Sequence, residues 1–134
     1  MRENLTRLLL LIGDGRPQML MENAEKYRRY NERTKQMLTF IKRHFGEELS
    51  VRDIADSASI SESECLRCFR KILDTSPIAY LKTYRLQRAA ELLETTSRKV
   101  SDIAAQCGFG EMSYFAKSFR EIYRCTPSQY RSRT

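Results

Sequence analysis

The chain is poor in residues that many functions need: among its 134 residues are no tryptophan, one histidine, three prolines and five glycines. The single histidine, His44, stands beside Lys42 and Arg43. With no partner histidine, no carboxylate pair in an apolar setting and no glycine-rich phosphate loop, neither a catalytic triad nor a nucleotide site can be built. The expectation is a protein that is not an enzyme and carries no cofactor. Scarce glycine and proline, with no alternating β-branched runs, exclude a sheet and leave helices throughout. No apolar stretch approaches the roughly 20 residues that cross a bilayer. The short run at 8–12 follows two arginines, as in a signal peptide, but Gly13-Asp14-Gly15 is a poor cleavage site. A cytoplasmic protein with no membrane partner is expected.

Cysteine is sparse as well. Of the four, at 65, 68, 107 and 125, only Cys65 and Cys68 have the spacing that thiolate metal sites use. No second such pair exists, and His44 does not complete a four-ligand set. Both lie in a helical pattern, and Cys65 is read as a small core residue with its thiol reduced. A thiol or metal module on Cys65 and Cys68 remains one alternative to the reading below, and a helical protein-interaction module is another.

What the chain has is 41% apolar residues, 31% charged residues and a formal net charge of +7. The basic balance favours a polyanionic partner, without separating nucleic acid from a membrane or heparin. Above all it has an internal repeat. V-R-D-I-A-D-S-A-S-I from Val51 returns as V-S-D-I-A-A-Q-C-G-F from Val100 after a shift of 49 positions. C-L-R-C-F-R-K-I-L-D-T-S-P-I-A-Y from Cys65 returns as F-A-K-S-F-R-E-I-Y-R-C-T-P-S-Q-Y from Phe115 after a shift of 50. The extra residue belongs in a turn. Each copy therefore reads as helix, turn, helix.

Start signals agree. Ser50 with Asp53 and Ser61 with Glu64 have capping-box spacing, so helices start near Val51 and Glu62. Ser76-Pro77 and Thr126-Pro127 each set a capping hydroxyl before a proline at the first helical position. Between the copies, Ile78, Leu81, Tyr84, Ala89, Leu92 and Leu93 form an apolar stripe among charged residues. One long helix from Pro77 to about Leu93, roughly 25 Å long, joins the halves. Ala55 and Ala104 allow the paired helices to cross closely. Gly108 suits a turn with positive φ, and Ser59 holds that place in the first copy under strain of about 1 kcal/mol. Ile60, Cys65, Phe69 and Ile72 in one copy, and Phe109, Phe115, Phe119 and Tyr123 in the other, are the expected core.

The stretch G-F-G-E-M-S-Y-F-A-K-S-F-R-E-I-Y-R-C-T-P-S-Q-Y-R at 108–131 resembles the signature of the AraC/XylS family of bacterial transcription regulators. L-S-V-R-D-I-A, S-x-S-x-C-L-R-C-F and Y-R-L-Q-R-A-A-E-L-L upstream resemble its first helix-turn-helix and connecting helix. The resemblance covers about 34–134. It implies an all-α DNA-binding domain of about seven helices: a first helix-turn-helix at 34–76, a linker helix at 77–94 and a second helix-turn-helix at 95–134. Two departures stand where the family commonly has glycine after the recognition helix, namely Asp74 and Arg124. Aspartate tolerates a left-handed cap better than arginine, so the end of the second recognition helix is the less well specified.

Two such units about one turn of DNA apart, roughly 34 Å, can enter successive major grooves. Because the copies differ in their outward residues, one chain should read an asymmetric site on double-stranded DNA. The resemblance implies that Ser63, Leu66 and Arg67 face bases in the first copy, with Arg67 the leading candidate for a bidentate contact to guanine. Ser61, Arg70 and Lys71 are assigned to phosphate. In the second copy Met112, Ser113, Ala116 and Lys117 are assigned to bases, and Arg120 and Arg124 to phosphate. The plain alternative for each lysine or arginine is a solvated face. Glu64 and Glu111 oppose DNA contact at their own positions, unless Glu64 is engaged by its helix cap or accepts from cytosine.

Residues 1–33 are read as an N-terminal segment with a short helix burying Leu5, Leu8, Leu9 and Ile12, ended by Gly13, Gly15 and Pro17. This segment looks like the tail of a sensing or dimerising domain. The other reading is a stand-alone regulator whose extra helix packs on its own core or pairs with a second copy through 5–12. RNA polymerase is a further partner for a chain of this kind.

Overall fold

The computed structural model describes residues 17–133. Seven helices occur among the described residues: α1 Pro17–His44, α2 Val51–Asp56, α3 Glu62–Leu73, α4 Pro77–Thr95, α5 Val100–Gln106, α6 Met112–Tyr123 and α7 Pro127–Ser132. The fold is all-α, with α2–α3 and α5–α6 as two helix-turn-helix units and the unbroken α4 between them. From Val51 to Glu62 is 11 residues and from Val100 to Met112 is 12, so the inserted residue lies in the second turn.

The caps explain where most helices start. Ser50 makes a full capping box with Asp53, and Ser76 accepts from the Ala79 N–H ahead of Pro77. Thr126 makes a capping box with Gln129. Ser61 accepts from the Glu64 N–H, but the carboxylate of Glu64 is drawn elsewhere, to Arg33 and Arg67. The expected reciprocal box at Ser61 is therefore half made. The second copy is less well capped: Lys99 and Glu111 precede α5 and α6 and make no side-chain cap.

Helix ends are set by left-handed residues. Asp74 and Arg124, with φ of 54° and 63°, close α3 and α6 at equivalent places. In the turns, Ser59 and Gly108 occupy equivalent positions with φ of 57° and 89°.

The repeat is larger than the motifs imply. At the same shift of 49, Met37 and Ile41 of α1 correspond to Leu86 and Ala90 of α4, and all four are buried. Each unit is thus three helices around its own core. Met37, Ile41, Ile54, Cys65 and Phe69 form the first core, and Leu86, Leu93, Ile103, Phe115 and Phe119 the second. Phe69 meets Tyr80 at 6.0 Å between ring centroids, and the equivalent Phe119 meets Tyr130 at 5.4 Å. Of the expected core residues, Ile60 and Tyr123 are half-buried and the other six are buried.

Ile78 does not join the stripe on α4, being 46% exposed, while Leu86 and Ala90 are buried in its place. The reason is register, because Pro77 opens the helix with Ile78 facing outward. Ile72 is buried in the core that Tyr27 and Tyr30 of α1 join, yet its counterpart Ile122 is 46% exposed. By the same shift Tyr27 and Tyr30 become Ser76 and Ala79, which are too small to cover it. Helix α1 runs without a break through 33–34, where the sequence reading divides the chain, and its first residue is Pro17. The short helix expected at 5–12 lies outside the described residues.

Where the units meet, the Arg85 side chain of α4 donates from Nε to the Phe45 carbonyl and from an Nη to the Glu47 carbonyl, both at 2.7 Å. A Cβ on Gly46 would lie 2.5 Å from the Gln106 carbonyl oxygen, and one on Gly108 would lie 2.8 Å from both Arg85 Nε and the Phe45 oxygen. Phe45 packs against both cores, with the Arg88 guanidinium 5.9 Å from its ring centroid.

Candidate nucleic-acid interface

Helix α3 buries Cys65, Cys68, Phe69 and Ile72 on one side. That register turns Ser63, Leu66, Arg67, Arg70 and Lys71 outward, and all five are exposed. Leu66 is 48% exposed, an apolar side chain with no core to enter. Glu62 and Glu64 stand in the first turn and Arg70 and Lys71 in the last, each sign at the favourable end of the helix dipole. The cap hydroxyl of Ser61 is exposed at the N-terminus of the same helix. A hydroxyl both accepts and donates, so the cap bond leaves Ser61 able to donate to an anion.

Helix α6 repeats this arrangement with different residues. Phe115, Ser118 and Phe119 are buried, and Met112, Ser113, Lys117 and Arg120 are exposed, Met112 at 44%. Ala116 is half-buried, so only a shallow surface is available there. Arg124 is exposed on its left-handed turn. The residues assigned to bases and phosphates thus fall on two exposed helix faces, one per unit.

Several partners of these faces are not legible from the motifs. Arg67 donates from Nη1 to Glu64 at 2.6 Å, and Glu64 also accepts from Arg33 of α1 at 3.3 Å. Glu64 is half-buried between two guanidiniums, which offset its charge at the edge of the surface. In the second unit Lys82 of α4 stands 5.3 Å from the Tyr114 ring centroid and 3.9 Å from Glu121. Arg70 reaches Asp74 at 3.4 Å, an exposed pair easily given up.

The cysteines belong to the interior. All four are free and buried, and burial pushes the Cys65 and Cys107 thiols up to about 11, which keeps them protonated at neutral pH. A cysteine binds a metal as its thiolate. Among the described residues there is no group of three or more His, Cys, Asp or Glu side chains able to hold a metal, and no helix long and apolar enough to cross a membrane.

A family described as a helix-turn-helix domain matches residues 54–133. A solved transcriptional regulator from Chromobacterium violaceum, of the AraC-type DNA-binding domain proteins, is 29% identical, covering 76% of this chain and 91% of its own with a TM-score of 0.73. The chain belongs to the AraC/XylS family. Among its relatives, an uncharacterized HTH-type transcriptional regulator of Bacillus subtilis, YdeC, is 36% identical over 75% of this chain and 35% of its own length. The HTH-type transcriptional activator RhaS of Citrobacter koseri is 34% identical over 93% of this chain and 43% of its own. The DNA-binding domain of AdpA, solved with a target DNA, is 28% identical with a TM-score of 0.70, covering 73% of this chain and 88% of its own. The chain spans less than half the length of these curated relatives.

Proposed function

We propose that this chain is the DNA-binding part of a transcription regulator, reading double-stranded DNA with α3 and α6 in successive major grooves of an asymmetric site. The observation that carries the reading is the pair of outward faces, basic and unlike each other, on helices in equivalent places of two packed units. The likeness to a domain solved on DNA supports it, since the matched length exceeds one unit. Ser63, Leu66 and Arg67 on α3, and Met112, Ser113, Ala116 and Lys117 on α6, read bases. Arg67 suits a bidentate contact to guanine, and Leu66, Met112 or Ala116 the methyl of thymine. Ser61, Arg70, Lys71, Arg120 and Arg124 hold phosphate, and these contacts set position without reading sequence.

The DNA-binding domain takes in the described part of 1–33 along with 34–134, because Tyr30 packs in the first core and Arg33 holds Glu64 of α3, and the residues before Pro17 act as the end of a preceding sensing or dimerising part. Relatives carrying the name activator favour RNA polymerase as a further partner. Selection of bound DNA from a random pool tests the reading. The expected motif has two unlike halves about one helical turn apart, and a single short half or a palindrome overturns it. A helical protein-interaction module would show little salt dependence, whereas contact with about six phosphates costs on the order of 10³ in affinity between 50 and 200 mM salt.

A further inference from the structure

A helix alone is a rod that bends and twists, and the two units are joined by more than α4. Three groups converge at the junction: the backbone after α1, the Arg85 side chain of α4, and the turn of the second unit. Arg85 holds two carbonyls of the first unit with two different nitrogens of one planar guanidinium, which fixes its direction as well as its distance. The backbone of the second unit closes over that clasp at Gly46 and Gly108, where a single added methyl would meet the Gln106 carbonyl or the clasp itself.

We propose that Arg85 is a positioning residue for two-groove reading: its clasp on the Phe45 and Glu47 carbonyls fixes the phase of α3 relative to α6, and thereby the number of base pairs allowed between the two half-sites. This inference rests on the two-groove reading above. One added base pair moves the second half-site by about 3.4 Å and turns it by roughly 35°. A clasped protein cannot follow that turn, so one recognition helix loses its groove. A protein joined by α4 alone can yield at the junction and keep both.

The test is a spacing series. The duplex recovered by selection is made with one or two base pairs inserted or removed between its halves, and binding is measured by fluorescence anisotropy. The wild-type chain should lose about 30-fold or more for one base pair, as expected when geometry forbids simultaneous engagement. Arg85→Met should lose no more than about 3-fold, with affinity for each half-site alone unchanged. Arg85→Lys, which retains the charge and holds one carbonyl at a time, should fall between and serves if Arg85→Met does not fold. If these variants bind more weakly at every spacing but keep the wild-type penalty, Arg85 is only structural and the inference is wrong. A flat profile in the wild-type chain removes the two-groove reading itself.

Discussion

Arg67 and Glu64 are bound one turn apart on the first recognition helix, Nη1 to carboxylate at 2.6 Å, and Arg33 of α1 holds the other carboxylate oxygen at 3.3 Å. The repeat carries Arg33 to Lys82 and Glu64 to Tyr114, where the ion pair becomes a cation over a ring at 5.3 Å. In both units the first helix thus grips the first turn of the recognition helix. Only in the first unit does the grip extend to the residue proposed to read a base, because Tyr114 carries no carboxylate to hold Lys117 as Glu64 holds Arg67.

Glu64→Gln should therefore separate discrimination from affinity. Removing a carboxylate beside DNA favours binding to any sequence, while freeing Arg67 loosens one base contact. We expect unspecific duplex to bind more tightly and preference at the Arg67 base to fall by about 1 kcal/mol, within the range for one bidentate pair. Competition with every single-base variant of the selected site measures both. A uniform tightening with preference intact would show that Glu64 does not orient Arg67.

Base and phosphate contacts should differ in kind. Arg67→Ala and Lys117→Ala are expected to cost about 1–3 kcal/mol at one base step each and to flatten preference there. Arg70→Ala should weaken all sequences alike and lower the salt slope by about one. Titrations at several salt concentrations on specific and scrambled duplexes distinguish them. Identical behaviour of the two classes would overturn the assignment.

The thiols give a pH dependence with a definite sign. Folding buries Cys65 and Cys107 as neutral groups and raises both from 9.0 to about 11. Their contribution to stability is whole below about pH 9 and is lost as pH rises through the folded value, because the unfolded chain gives up its protons first. Tyr130, whose hydroxyl donates to Glu94 at 2.6 Å, is pushed up to about 12 and acts in the same direction above pH 10. Denaturant midpoints should fall between pH 9 and 11, and less steeply in Cys107→Ala. At pH 8 a thiol reagent should label none of the four cysteines in the native protein and all four after unfolding. Native labelling of Cys65 and Cys68, or zinc uptake, would revive the thiol reading.

Local chemistry made much of this fold legible. Ser50, Ser76 and Thr126 announce helix starts by hydroxyls placed beside their own turns, and the repeat fixes the order of the units. Long-range partners left no such mark. Arg33 reaches Glu64 across 31 residues and Arg85 reaches Phe45 across 40, and nothing in a local pattern selects one arginine from its neighbours. Gly46 was similarly silent, since its need is another backbone approaching and not its own φ. The one misplaced member of the α4 stripe, Ile78, stands next to a proline that sets the helix start. There a shift of one position carries a side chain from core to solvent. The outward faces of α3 and α6 were readable because burial of Phe69 and Phe119 fixes the helical phase.

The three non-glycine residues with left-handed backbone give matched substitutions with different consequences for DNA. Ser59, Asp74 and Arg124 have φ of 57°, 54° and 63°. Glycine relieves a left-handed strain of order 1–2 kcal/mol and returns part of it as unfolded-state entropy, so each change should stabilise by about 0.5–1 kcal/mol. A chain of this size should then melt a few degrees higher, about 2–5 °C. Ser59→Gly, in the turn of the first unit, should leave DNA affinity unchanged. Arg124→Gly removes a proposed phosphate contact and should weaken binding and lower the salt slope by about one. Asp74→Gly removes a carboxylate that holds Arg70 at 3.4 Å and should tighten binding to every sequence. Melting curves and salt titrations on the three variants check this together. Parallel gains in stability with affinities unchanged, down and up is the expected pattern. Equal affinities in all three would mean that the ends of α3 and α6 do not lie near phosphate.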